Sequence, residues 1–228
     1  MNKALAAWLL VAVASAGAVT PPQVVVQRAV TQLIAVFQET PDADRITRAD
    51  FLEKRRAEIR RIAAETFDFD EMARRALGRY WSRRTAAQRG EFVELFTGLL
   101  ERSYMGRIES YVDERIVFLG EAIDGGYATV RSRIVSPRHV ETTLDYRLSL
   151  TQGRWRVFDL SVDGVSFVGT YRSEFARVIN TSSYESLVER MRKKRLEIDA
   201  LSRRREPPDP SALPGDRRHR APRRPAAR

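Results

Sequence analysis

The chain has 228 residues, 43% of them hydrophobic, with a net charge of +10, no cysteine and two histidines. That length supports one sizeable domain with its own core. The absence of cysteine excludes disulfides, thiolate metal sites, a thiol nucleophile and a lipidated-cysteine anchor, and His139 and His219 alone cannot build a histidine-rich metal site. A basic surface attracts phosphates. However, nine arginines against Glu206, Asp209 and Asp216 concentrate much of the excess from Arg203 onward, and no nucleic-acid motif accompanies them. Nucleic acid is therefore not expected as a partner.

In chain order, Met1-Asn2-Lys3 is a short basic start and Ala4 to Val13 an uncharged apolar run. Ala14-Ser15-Ala16 and Ala16-Gly17-Ala18 fit a small-x-small cleavage site. The run is shorter than the roughly 20 residues that span a bilayer. Residues 1–18 are thus expected to be a secretory leader cut near Ala18. The periodicity of Val26, Ala29, Val30, Leu33, Ile34 and Phe37 predicts a first helix over Pro22 to Phe37, ended by Thr40-Pro41-Asp42. A second helix is predicted after Thr47, with Asp50 completing the capping pattern. Leu52, Ile59, Ile62 and Ala63 lie on one side of it, and Lys54, Arg55, Arg56, Arg60 and Arg61 form a solvated face.

Asp68-x-x-Glu71 reads as the capped start of a short helix ending at Leu77, with Gly78 beyond it. Thr85-x-x-Gln88 opens the longest helix, to about Tyr111, with an apolar stripe from Phe92, Leu95, Phe96, Leu99, Leu100, Ile108 and Tyr111 and with Tyr104 nearby. After Val112 the period changes to two. Strands are predicted at Arg115 to Leu119, Tyr127 to Val135, Val140 to Leu150 and Arg154 to Val162, with turns at Asp124-Gly125-Gly126 and Gln152-Gly153. The result is an antiparallel meander of about four strands, in which apolar Leu144, Tyr146 and Leu148 alternate with Asp145 and Arg147. Helix returns over Ser166 to Ile179 and about Ser183 to Leu201. The Arg/Pro/Ala-rich remainder is expected to be disordered. The expected organisation is a leader at 1–18, an α+β domain at 19–202 and a tail at 203–228.

Catalytic chemistry finds little support. Gly164-Val165-Ser166-Phe167-Val168-Gly169 resembles a nucleophile elbow, but its second glycine comes one residue late, and His139 is the sole plausible base. Ser166 is better read as a helix cap. Asp68 and Asp70 are explained by capping without a metal, and no phosphate loop or dinucleotide fingerprint is present. No catalytic residue, metal or cofactor is expected. A long helix and a curved sheet, each with one apolar face, either pack shut or enclose a cavity, and periodicity does not separate the two.

The segment Phe67-Asp68-Phe69-Asp70-Glu71-Met72-Ala73-Arg74-Arg75-Ala76-Leu77-Gly78-Arg79-Tyr80-Trp81 resembles the characteristic stretch of the MlaC family, also called the toluene-tolerance auxiliary family. Gln88-Arg89, Phe92 to Leu100, Tyr104 and Tyr111 continue the likeness. So do Trp155-Arg156-Val157-Phe158-Asp159-Leu160-Ser161-Val162-Asp163-Gly164-Val165-Ser166 and Tyr171-Arg172-Ser173-Glu174-Phe175. The resemblance runs from about Pro22 to Arg195, and the basic tail departs from it. It implies a twisted antiparallel sheet of four or five strands wrapped by helices, with acyl chains held between them.

It also implies a monomeric periplasmic phospholipid carrier of a Gram-negative bacterium, exchanging lipid between an outer-membrane lipoprotein–porin complex and an inner-membrane ABC transporter complex. A hopanoid-biosynthesis-associated branch is a close neighbour. The alternatives are an accessory protein of that pathway and a non-transporting membrane-associated scaffold that docks through its basic tail. The residues expected to line the lipid cavity are Trp81, Phe96, Leu99, Leu100, Tyr104, Leu144, Tyr146, Leu148, Val165, Phe167, Val168 and Tyr171, with Leu148 on the sheet's inner face and Leu99 on the long helix opposite. Each methylene withdrawn from water is worth about 0.8 kcal/mol, so two long chains need an apolar shield, whereas the head group can stay in water.

Overall fold

The computed structural model describes residues 19–40, 47–108, 115–137 and 141–193. The leader at 1–18, Pro41-Asp42, Tyr111, His139, Val140, the last helix beyond Lys193, and the tail at 203–228 lie outside the described residues, as does the side chain of Ile108. Six helices and five strands are described. They are α1 (Pro22–Gln38), α2 (Arg48–Thr66), α3 (Phe69–Leu77) followed by a 3₁₀ turn (Gly78–Arg83), α4 (Ala86–Ile108), β1 (Arg115–Asp124), β2 (Tyr127–Val135), β3 (Glu141–Thr151), β4 (Arg154–Val162), β5 (Val165–Ser166), α5 (Phe167–Thr181) and α6 (Tyr184–Arg192). The sheet is an unclosed antiparallel meander in sequential order, and the fold is α+β.

Local chemistry starts most helices. The first backbone N–H groups of a helix have no partner within it, and a side-chain oxygen satisfies one of them. Thr47 accepts from the Asp50 N–H at 3.2 Å and Asp68 from the Glu71 N–H at 3.0 Å. Ser183 accepts from the Ser186 N–H at 3.0 Å. At α4 the capping box closes both ways: Gln88 N–H donates to Thr85 Oγ1 at 3.2 Å, and Thr85 N–H donates to Gln88 Oε1 at 3.0 Å. No side chain caps α1, which begins instead on Pro21-Pro22, where a missing N–H costs nothing.

Two irregularities shape the sheet. The strand expected to end at Leu119 runs ten residues, to Asp124. Its register slips between Phe118 and Gly120, and Gly120 adopts φ +127. One extra residue reverses the inward–outward alternation, so a reading by strict period two stops at the bulge although the pairing continues. The second slip lies in β4 opposite Arg147 and Leu148 and leaves Phe158 between the two registers. Trp155 and Val157 join the sheet's own core, whereas Phe158 is buried among the helices beneath the Arg75 guanidinium, 3.9 Å above its ring.

The core is in three parts. A helical cluster gathers α3, α4, α5 and α6. Phe96 meets Tyr171 edge-on at 5.1 Å between ring centres and Phe92 meets Phe175 at 5.6 Å, a geometry that aromatic quadrupoles favour. A sheet cluster holds Ala128, Val130, Ile134, Leu144, Tyr146, Leu148, Trp155 and Val157 under Val26 of α1. A third joins α1 to α2 through Ala29, Val36, Ile59 and Ile62, with Met105 of α4 against it. Phe67 packs against both the helical and the sheet clusters. It is pinned there because the next N–H, that of Asp68, donates to the Val157 carbonyl at 2.8 Å.

Candidate functional site: a groove between the first helix and the sheet edge

The candidate site follows from how α1 lies on the sheet. Val25, Val26 and Val30 pack on the inner face. The Gln23 N–H donates to Glu121 Oε2 at 2.6 Å, which ties the start of the helix to the far end of β1. The helix therefore runs antiparallel to β1. Between the two opens a groove of about 580 Å³ lined by Gln27, Val30, Thr31 and Ile34 of α1 and Arg115, Ile116 and Phe118 of β1. The helix positions are spaced i, i+3, i+4 and i+7 and so form one stripe. Ile116 and Phe118 are two apart and share the inner face. This volume falls within the range of pockets that bury small ligands, about 300–1,000 Å³.

Behind the groove the wall is continuous. Phe118 pairs with Ser132, Ser132 with Leu144 and Leu144 with Val162, forming one row across the sheet. The next row runs Val130, Tyr146 and Leu160. Burial pushes the Tyr146 phenol above its ordinary pKa, partly offset by the nearby Ser132 hydroxyl. Ser132 Oγ itself is buried and lacks a hydrogen bond of ordinary geometry among the described residues. Of these residues Phe118 lines the groove, while Val130, Ser132, Leu144 and Tyr146 are buried behind it in the sheet.

The twelve residues expected from the sequence divide between two places. Leu144, Tyr146 and Leu148 are buried on the inner face of the sheet. Phe96, Leu99, Leu100, Val168 and Tyr171 are buried in the helical cluster, with Trp81 and Tyr104 half-buried against it. Phe167 stacks on Tyr104 at 4.6 Å, and Val165 is a half-buried residue of the edge strand β5. Leu99 and Leu148 thus fall in different clusters, and it is Val26 of α1 that joins the sheet cluster holding Leu148.

None of the twelve lines this groove: Gln27, Val30, Thr31, Ile34, Arg115, Ile116 and Phe118 were all outside the set expected from the sequence. One signal was available in α1. Val24, Val25, Val26, Val30, Leu33, Ile34 and Phe37 spread apolar surface around more of the helix than a single buried face needs. Val24 and Ile34 remain 39% and 40% exposed.

Ser166 does cap α5, accepting from the Gly169 N–H at 2.8 Å. Its hydroxyl donates to Asp159 Oδ2 at 2.7 Å, and Asp159 Oδ1 accepts from the Val168 N–H at 3.1 Å. Asp159 is 3% exposed. The serine and the buried carboxylate thus fix the corner where β4 and β5 hand over to α5. No helix among the described residues is long and apolar enough to cross a membrane.

Fold and groove together define a small α+β protein with an open groove beside the edge of an antiparallel meander. The family model for the MlaC protein matches residues 27–193, and the chain belongs to that family. The intermembrane phospholipid transport system binding protein MlaC of Haemophilus influenzae is 25% identical to it over 122 residues, 51% of this chain and 57% of that protein. The chain thus matches little more than half the length of this relative. Its fold is also that of a phospholipid-binding protein from Ralstonia solanacearum, whose structure is in complex with a phospholipid. That likeness has a TM-score of 0.67 at 25% identity and covers 77% of this chain and 97% of the other.

Proposed function

We propose that this protein is a phospholipid carrier that takes up lipid through the groove between α1 and β1 and moves it between two membranes. The observation that carries the reading is a groove of about 580 Å³, with Val30, Ile34, Ile116 and Phe118 in its lining, in a chain of the MlaC family. It is supported by a fold shared with a protein whose structure holds a phospholipid. The physics of the task fits. A carrier must present surface nearly as apolar as a bilayer, yet not so much better that release stalls. It needs no catalytic group.

Leu144, Tyr146 and Leu148 form the floor behind the groove in this proposal. A chain that displaced Phe67 would pass from that floor into the helical cluster lined by Leu99, Leu100 and Tyr171. In that way both halves of the sequence-expected set would serve one cavity. The same reading assigns residues 1–18 to a leader removed on export, 19–202 to the lipid-binding domain and 203–228 to a basic tail, and it places the protein in the periplasm. Its partners in this proposal are an inner-membrane ABC transporter complex and an outer-membrane lipoprotein–porin complex.

The test is organic extraction of the purified protein followed by mass spectrometry, together with uptake from phospholipid vesicles. Phospholipid in near-stoichiometric amount is the expected result. Recovery of no lipid, with no uptake from vesicles, overturns the proposal.

A further inference from the structure

The groove has two unlike ends. Because α1 and β1 run antiparallel, Gln27 lies toward Phe118 and the tie between Gln23 and Glu121, whereas Ile34 lies toward Arg115. Ile34 is 40% exposed and Arg115 is exposed, so the groove meets water at this end, as it does at Thr31. Arg115 is out of step with Ile116 and Phe118, and its Cβ starts from the outer face. It reaches the groove because it is the first residue of an edge strand and its side chain is long. Three other arginines of the sheet are engaged, Arg133 with Glu141 at 2.9 Å, Arg147 at 3.7 Å from Asp159, and Arg156 donating to the Ala64 carbonyl at 2.8 Å, and of those left only Arg115 lines the groove. Arg115 makes no ion pair with any described residue.

A guanidinium beside Ile34, Val30, Ile116 and Phe118 in one groove suits a ligand with hydrocarbon at one end and an anion at the other. Its planar fork matches two phosphate oxygens at once. Resting on the lipid-carrier reading, we propose that Arg115 is a specificity residue: it receives the phosphodiester of a lipid whose chain lies along Val30, Ile116 and Phe118. The groove then takes phosphate-bearing lipids in preference to uncharged lipids with the same chains. The source of the anion is the lipid head group and not free phosphate.

The test offers the full mature protein vesicles of phosphatidylcholine that carry equal amounts of dioleoyl phosphatidylglycerol and dioleoylglycerol. The bound ratio of the last two is read by mass spectrometry. Asp113 and Glu114 lie outside the described residues, so the ratio is the readout rather than total loading.

The wild type is expected to favour the phospholipid. Arg115→Gln should lower the ratio roughly tenfold, at the lower end for a hydrogen bond to a charged group because the site is open to water. Loading of the neutral lipid and the melting temperature should both hold. Arg115→Lys should keep part of the preference, because it retains the charge and loses the fork. An unchanged ratio in Arg115→Gln overturns the inference, and so does an equal loss of both lipids, which marks a structural role. Competition by inorganic phosphate in millimolar excess points to a free-anion site and likewise overturns it. A wild type that loads neither lipid sinks the carrier reading itself.

Discussion

Blocking the groove at its midpoint isolates it from the rest of the core. Thr31 is exposed, lies on the groove-lining stripe of α1, and sits between Gln27 and Ile34. Those two residues are seven positions apart, so the groove runs about 10 Å along the helix at ~1.5 Å per residue. An extended hydrocarbon advances roughly 1.3 Å per carbon, given bonds of ~1.5 Å at tetrahedral angles. About eight methylenes then lie along the groove, and because it is open to water on one side about half of the ~0.8 kcal/mol each is gained, about 3 kcal/mol together. Thr31→Trp places an indole across the channel and excludes about half of them. The loss is about 1.5 kcal/mol, or roughly tenfold in the loading equilibrium. Because the site is exposed and tryptophan and threonine have similar helix propensities, stability should change by less than about 0.5 kcal/mol. The assay is lipid uptake from vesicles, with thermal melting as the control. A folded Thr31→Trp protein with its full lipid load refutes the groove as the site.

Three further outcomes follow from the structure. Asp159→Ala leaves the Ser166 hydroxyl and the Val168 N–H without their acceptor and should cost roughly 3 kcal/mol in urea unfolding; a loss below about 1 kcal/mol means the corner does not depend on the carboxylate. Burial would raise the Glu71 pKa, but hydrogen bonds from Arg74 at 2.5 Å and Arg75 at 2.6 Å pull it below the ordinary carboxylate value. A native pKa below the unfolded one means that this stabilisation is complete above the ordinary carboxylate range, about pH 4.3, and disappears as pH falls through the native value. The gap in urea midpoint between wild type and Glu71→Gln should accordingly close on acidification, and a gap independent of pH contradicts the linkage. Ser132→Ala removes a buried hydroxyl that lacks a well-formed hydrogen bond and should shift stability by no more than about 1 kcal/mol in either direction. A larger loss, measured by calorimetry, would show that the Tyr146–Ser132 contact holds the inner face together.

Much of the fold was legible from local chemistry. Thr47, Asp68, Thr85 with Gln88, Ser166 and Ser183 announce helix starts, because a cap depends on groups three residues apart. The turns at Asp124-Gly125-Gly126 and Gln152-Gly153 announce hairpins because left-handed backbone is cheap for glycine, and Gly125 and Gly153 take φ +55 and +74. The alternation of Leu144, Tyr146 and Leu148 identified an inner face correctly, since a two-residue period is a property of one strand. The family segments around Phe67 to Trp81 and Trp155 to Ser166 were also visible in the chain itself.

What only the tertiary structure decided depends on partners distant in sequence. The bulge at Leu119-Gly120 appears only when β1 is laid against β2, and the destination of Phe158 appears only when β4 is laid against β3. The placement of α1 over the sheet brings Val26 into the sheet cluster and Gln23 to a carboxylate 98 residues away. Apolar side chains read alike in sequence whether they close a core or line a cleft, because burial is non-directional and one apolar surface substitutes for another. Val30 and Ile116 line a groove beside the edge strand, whereas Leu99 and Phe96 pack in the helical cluster with the rings of α5, because the placement of whole elements decides which faces meet.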